Sequence, residues 1–407
     1  MLSQTIIAAR ERSGLLANPN YLRLWFAGGV GNAMRWLELL VAGIFTYDAT
    51  HSAFLVSVVT VARSLPMLFV GALAGLVGEA LNRKRILVTQ LFVMAGSSGT
   101  LCALALFGQL RVWHVAMAGI VTGIVWAAEM AVRRRMIGEV VASGQVAAAV
   151  AFDSLTNSVA RVLGPLAGGA AFERLGIGGA YFLSAALYLA TCFVVAGLGF
   201  HQQRRPLRLH RLTADLAEGL AVTRSHPAIF GVVLVSIVMN VFGFSYSALI
   251  APIGLDGYRV SPTLVGALAA AEPIGAIAIG IALSAGWLRL DGSRALLRGS
   301  LLFLVGVVGM ALSPWYGLAF VLLLIGGLGT AAFSNMQTTL ILIEAPAAMR
   351  SRVMGIVTMC IGTGPLGVLA AGMLSEWLGP ATAILIMAGI GLAGLSLVWT
   401  RLVRWCV

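Results

Sequence analysis

The chain has 407 residues, 59% of them hydrophobic and 10% charged, with a mean hydropathy of +0.96. Soluble domains carry about 45–50% apolar and about 25% charged residues, so this composition excludes a soluble enzyme, a disordered regulator and a secreted disulfide scaffold. The net charge of +12 comes from basic residues in short stretches between apolar runs, a distribution that sets membrane topology rather than one that grips nucleic acid.

Residues 1–20 carry Arg10, Glu11 and Arg12 but no long apolar region or small-residue cleavage site, so no cleaved signal peptide is expected. A spanning helix needs about 20 mainly apolar residues. Such runs fall at 22–47, 53–78, 86–108, 112–133, 147–172 and 179–200, then at 228–251, 262–287, 295–312, 315–342, 353–376 and 380–403. The expected fold is therefore an all-α polytopic membrane protein with twelve transmembrane helices in two six-helix bundles. Residues 1–200 form the N-terminal bundle, 201–227 a cytoplasmic linker and 228–407 the C-terminal bundle.

Basic residues orient the chain. One side of the membrane collects Arg83, Lys84 and Arg85, then Arg133, Arg134 and Arg135, then Arg204, Arg205, Arg208, Arg211 and Arg224. Arg289, Arg294, Arg298, Arg350 and Arg352 follow there, with Arg10, Arg12, Arg23, Arg401 and Arg404 at the two ends. Only Arg111, Arg174 and Arg259 fall on the other side. Positive loops stay inside, so both termini are expected in the cytoplasm of a bacterial-type inner membrane. In the linker, Leu207, Leu209, Leu212, Leu216 and Leu220 recur at near-helical spacing among Arg208, Arg211, Asp215 and Glu218, the pattern of an amphipathic helix lying on the membrane face.

The two halves echo each other. Gly164, Pro165 and Leu166 in the fifth run match Gly364, Pro365 and Leu366 in the eleventh, each after an Arg-marked stretch that contains Glu139 or Glu344. Repeated six-helix halves point to a transporter with its substrate site at mid-membrane between them.

The stretch after the second run holds Gly75, Gly78, Glu79, Asn82, Arg83, Lys84 and Arg85, and it resembles the loop signature of the major facilitator superfamily. It departs from that signature at Glu79, Ala80 and Asn82, where the family usually has aspartate, a basic residue and glycine. Arg161, Gly164, Pro165, Gly168 and Gly169 resemble the motif associated with the exporters and antiporters of the superfamily. Arg63, Pro66, Asn157, Glu218, Gly219, His226, Pro227, Arg350, Arg352 and Gly355 are similar to the branch of enterobactin-exporter-like and drug-efflux permeases. The resemblance implies proton-driven efflux of an amphipathic small molecule, such as a drug or a siderophore-like compound, by alternating access. It implies gating roles for the two glycine-rich motifs, and a protein whose partners are that small molecule, protons and the lipid bilayer. A monomer is expected. On the same fold, a lipid or lysophospholipid flippase or a metal-ion exporter stays open, as does, from another class, a non-transporting receptor or a membrane enzyme.

Charges inside apolar runs are the sharpest leads, because one at the bilayer centre costs about 2.5–3.5 kcal/mol even on insertion scales. Arg35 and Glu38 share a face of the first run at i, i+3. They are either a proton site at Glu38 tuned by Arg35 or an inert pair that locks the helix. Glu272 beside Pro273, Asp153 and Glu129 complete the proton-coupling candidates. For Glu129 the plain alternative is an i, i+4 pair with Arg133, and for Arg63 and Arg161 a structural role. Trp36, Trp126, Asn240, Tyr246, Asn335 and Gln337 are candidates to line the cavity. Phosphate-loop and metalloprotease motifs are absent, the five histidines lie at or near loops, and Cys102, Cys192, Cys360 and Cys406 have no metal spacing. No cofactor, no metal and no catalytic residue are expected.

Overall fold

A bilayer offers the backbone no water to bond, so each segment that crosses it must satisfy its own N–H and C=O groups as a helix. The computed structural model describes residues 14–80, 82–199, 212–285, 287, 292–346 and 349–402. The side chains at 67–80, 130, 131, 134, 212–217, 219, 284, 351, 401 and 402 lie outside that description. The described secondary structure is helical throughout.

The first half contains α1 (Pro19–Thr50), α2 (Ala53–Ala80), α3 (Arg83–Leu106), α4 (Val112–Val140) and α5 (Val146–Ala196). The last runs for 51 residues but breaks at Gly176, whose φ of 66° lies in a region that a side chain disfavours. It therefore supplies two passes, the fifth and sixth of the chain. The second half contains α6 (Leu212–Ser225), α7 (Pro227–Val238), α8 (Pro262–Ser284), α9 (Gly292–Leu312), α10 (Tyr316–Glu344), α11 (Arg350–Ile361), α12 (Gly364–Leu378) and α13 (Pro380–Leu402). Nine stretches among the described residues are long and apolar enough to cross a membrane, one of them the doubled 143–196. The other two passes are α1, where Asn32, Arg35 and Glu38 dilute the apolar run, and α2, apolar over Ala53–Pro66. Twelve passes result.

Two of the expected runs are not simple helices. The run at 228–251 is α-helical only to Val238, then winds through a wide turn at Met239–Gly243, a tight one at Phe244–Leu249, a short helical turn at Ile250–Pro252 and a second wide turn at Ile253–Gly257. The Asn240 amide donates to the Ser236 carbonyl at 2.8 Å, and Pro252 has no N–H to give, so the regular ladder is interrupted from both ends. The run at 353–376 divides at Gly362 and Thr363. Pro365 withholds the next donor, and the Thr363 hydroxyl satisfies the Cys360 carbonyl at 2.6 Å. Pro165, by contrast, sits inside a continuous helix.

The chain forms two compact units: Met1–Val41 with Ala62–Arg208, and Ala42–Val61 with Leu209–Val407. This division differs from contiguous halves because the hairpin between α1 and α2 belongs to the second unit. There the Tyr47 hydroxyl donates to Asp256 at 2.5 Å, the Ser52 hydroxyl donates to Glu376 at 3.0 Å, and Gly372 leaves room for Ser57. The linker helix α6 also belongs to the second unit, where Glu218 pairs with Arg352 of α11 at 2.5 Å. Leu207 and Leu209 of the expected amphipathic face, and the arginines from 204 to 211, lie outside the described residues.

Close helix crossings recur at matching places in the two units. In the first, Gly164 and Gly168 of α5 approach α1, where an added Cβ would stand 2.7 Å from the Ala33 carbonyl oxygen and 2.9 Å from that of Leu37. In the second, Gly367 of α12 lies against the Val241 carbonyl. Gly123 of α4 crosses the Arg63 carbonyl of α2, and Gly327 of α10 crosses the Glu272 carbonyl of α8. A side chain at any of these positions would force the backbones apart.

Candidate functional site

The first unit buries a chain of ion pairs. Glu38, 4% exposed, accepts a hydrogen bond from the Ser98 hydroxyl at 2.7 Å and faces Arg63 at 3.8 Å. Arg63 also donates to the Arg35 carbonyl at 2.9 Å, which ties α2 to α1. The Arg35 guanidinium pairs with Glu129 at 3.5 Å and lies 4.7 Å from the centre of the Trp126 ring. Glu129 pairs in turn with Arg133 at 3.3 Å, and Arg133 grips Asp153 through both terminal nitrogens. Three arginines face three carboxylates across α1, α2, α4 and α5. The balance offsets the cost of burying each charge, and removing one partner would leave a charge uncompensated.

Local sequence makes room for this chain. Arg133 lies over Gly28, and a Cβ added at Gly31 would stand 3.6 Å from the Glu129 carboxylate, so α1 presents a smooth strip where two large polar side chains from α4 must fit. Tyr21 donates to the Ala149 carbonyl at 3.2 Å and the Trp25 indole donates to Thr156 at 2.7 Å, which fixes α1 against α5. Arg161 lies 5.4 Å from the centre of the Trp36 ring. Gly164 and Gly168 bring the two helices close enough for that contact.

One expectation is corrected here. Arg35 and Glu38 share a helix face but are not each other's ion-pair partners: Glu38 takes Arg63, and Arg35 takes Glu129. The neighbouring helices supply partners that a single helix cannot show. Glu129 does form its i, i+4 pair with Arg133, but as a middle link of a longer chain. Arg133 belongs to an arginine triplet that reads as a topology marker, yet it is buried. Its spacing to Glu129 was the one available signal for that burial. Ser98, Tyr181 and Tyr188, all buried near Glu38, gave no signal in the sequence.

The glycine-rich stretch after the second run divides in the same way. Gly75 and Gly78 lie in α2, and the Glu79 side chain lies outside the described residues. Asn82 accepts the Arg85 N–H at 3.2 Å and caps α3, a use for the residue that replaces the family's glycine. Arg83 is buried and pairs with Glu139, which also meets Arg135 at 3.3 Å. Gly168 and Gly169 are both buried in α5.

In the second unit Glu272 is 3% exposed and precedes Pro273 inside α8. Asn240 and Gln337 meet around one residue: the Asn240 amide donates to the Ser236 carbonyl, and the Gln337 amide donates to the Ser236 hydroxyl at 2.6 Å. Tyr246 packs 5.9 Å from Phe303. Asn335 is exposed and donates to its own helix at the Ala331 carbonyl. Trp126 lines a cavity inside the first unit, together with Arg35, Glu129, Arg133 and Tyr188. No group of three or more metal-ligating side chains occurs among the described residues.

Comparison with known proteins agrees with this architecture. The transmembrane secretion effector family of the major facilitator superfamily matches residues 14–405. The multidrug efflux pump Tap of Mycolicibacterium fortuitum is 25% identical over 368 residues, 86% of each chain. The enterobactin exporter EntS of Shigella boydii serotype 4 is 27% identical over 340 residues, 80% of this chain and 79% of that one. A bacterial homologue of the lysosomal transporter Spinster, in an inward-facing and occupied conformation, shares the fold with a TM-score of 0.76 at 12% identity, covering 93% of this chain and 96% of that one. The chain is a multi-pass membrane transporter rather than an enzyme, and it belongs to the transmembrane secretion effector family of the major facilitator superfamily.

Proposed function

We propose that this transporter is a proton-coupled exporter that moves an amphipathic small molecule by alternating access, with Glu38 as the carboxylate that takes up and releases the coupling proton. The observation that carries the reading is Glu38 itself, buried mid-helix between Ser98 and Arg63. A carboxylate held between a hydroxyl donor and a guanidinium has its charge supported in one arrangement of helices and withdrawn if that arrangement changes. The efflux direction and the class of cargo follow the relatives, a multidrug pump and an enterobactin exporter. Both termini lie in the cytoplasm on this reading, since the basic stretches are then all inside.

The test is flux in proteoliposomes of the full chain under an imposed proton gradient, with an amphipathic fluorescent cation as cargo. Wild type accumulates the cation in response to the gradient. Glu38→Gln keeps exchange of the cation but loses its dependence on the gradient. Gradient-driven accumulation by well-folded Glu38→Gln at the wild-type level overturns the role of Glu38.

A further inference from the structure

The end of α7 and the middle of α10 meet along one strip of the second unit. Ser236 in α7, Asn240 in the wide turn and Phe244 at the start of the tight one follow at intervals of four, and Phe333 and Gln337 of α10 have the same spacing. Residues four apart share a helix face. The strip is paired at both ends: Gln337 bonds Ser236, and the rings of Phe244 and Phe333 stand 6.1 Å apart. Wide turns within helices fall frequently at functional sites, and this one carries Asn240 between the two contacts.

Hydrogen bonds fix which way both amides point. The Ser236 hydroxyl has one hydrogen and gives it to the Val232 carbonyl at 2.6 Å, so toward Gln337 it can only accept. Gln337 therefore offers its nitrogen, at 2.6 Å, and its oxygen is turned away. The Ser236 carbonyl can likewise only accept, so Asn240 offers its nitrogen at 2.8 Å and turns its oxygen away as well. Both residues are 8% exposed. Neither oxygen accepts a hydrogen bond from a described residue, and neither is sealed from solvent.

What two such oxygens can hold follows from their chemistry. A carboxylate brings only acceptors, and a hydroxyl brings one hydrogen. A primary ammonium brings three donors and no acceptor, so it can serve both oxygens. On the same strip Phe244 is half-buried, its ring held 5.1 Å from Phe303 and 6.1 Å from Phe333, both of which are buried. Its accessible part offers an apolar surface one turn from Asn240.

We propose that Asn240 and Gln337 form a cargo subsite for a primary ammonium group, with Phe244 against the apolar body that carries it. The proposal rests on the cargo being an amphipathic small molecule, and it names the head group that the second unit selects. The two amides carry no net charge, so the subsite reads N–H donors rather than positive charge alone.

The test is equilibrium binding to the full chain in phosphatidylethanolamine–phosphatidylglycerol nanodiscs, read by the fluorescence of two probes. One is dansylcadaverine, whose chain ends in a primary ammonium. The other is its N,N,N-trimethyl derivative, which keeps the charge and the apolar body but has no N–H at its head. Wild type should bind the primary ammonium about tenfold or more tightly than the trimethyl probe. Gln337→Leu and Asn240→Ala should each cut that ratio severalfold. Phe244→Ala should weaken both probes alike, and wild-type affinities in that variant overturn the part given to Phe244.

The ratio of the two affinities is taken on one sample, so a partly misfolded variant leaves it unchanged and a merely structural role does not move it. Equal affinities in wild type, or a wild-type ratio in either amide variant, overturn the subsite and leave an amphipathic cargo standing. If wild type binds neither probe, the reading of an amphipathic cargo fails, and the subsite fails with it.

Discussion

Arg63 in α2 and Glu272 in α8 hold matching places in the two units. Each is a buried or half-buried charge in the second pass of its half, and each has its carbonyl oxygen crossed by a glycine, Gly123 of α4 or Gly327 of α10. Their surroundings differ. Arg63 opens a chain of three arginines and three carboxylates. Elsewhere in the second unit's described interior, Asn240 and Gln337 both donate to Ser236, one to its carbonyl and one to its hydroxyl. The repeat preserved the backbone crossings, where a Cβ has no room, and left the side chains free to diverge. The architecture of the two halves is therefore common, while the chain of buried ion pairs lies in the first.

The largest test of that contrast is functional. Glu38→Gln should abolish gradient-driven transport, whereas Glu272→Gln should leave the coupling in place and change at most the transport rate, both read as gradient-dependent flux in proteoliposomes. Coupling lost in Glu272→Gln but kept in Glu38→Gln would reverse the assignment of the two units.

Next in size is the ion-pair chain. Arg133→Ala strips Asp153 of its partner and Glu129 of one of two, and should lower stability by about 3–5 kcal/mol, measured by thermal unfolding in detergent. Arg133→Met combined with Asp153→Leu should recover most of that loss, because no uncompensated charge remains. A double variant as unstable as the single would show that the pair contributes through packing rather than charge.

The glycine crossings sharpen the other side of the comparison. Gly123→Ala and Gly327→Ala should each cost about 1–3 kcal/mol, and by similar amounts, since both place a Cβ against a carbonyl oxygen. Gly138→Ala, with open space around its Cα, should stay within about 0.5 kcal/mol of wild type. Unequal losses at 123 and 327 would mean that the two units do not share their packing. The smallest effect belongs to Gln337→Leu, which removes one neutral hydrogen bond to Ser236 and should cost about 1 kcal/mol.

The helical passes were legible because they follow from composition alone. A bilayer requires about 20 apolar residues per helix whatever lies next to it, so twelve runs could be counted from hydropathy, and the break near Gly176 fell where two runs met. The breaks within the seventh and eleventh passes were not legible as such. Pro252 and Pro365 were visible, but whether a proline interrupts a helix depends on which neighbours satisfy the freed carbonyls, as Pro165 shows, since α5 runs through it and breaks only at Gly176.

The candidate site divides along the same line. Glu38, Arg35, Glu129, Asp153 and Glu272 stood out from the sequence because a charge in an apolar run is costly in any fold. The partners of those charges did not. Helical spacing places Arg35 beside Glu38, but the rotation of α1 against its neighbours, set by Gly28 and Gly31 under α4 and by Gly164 and Gly168 against α5, turns Glu38 toward Arg63 and Ser98 and sends Arg35 to Glu129. Periodicity within one helix reports which residues share a face. Which face meets which helix is decided by contacts between residues far apart in the chain, and those contacts exist only once the helices have packed.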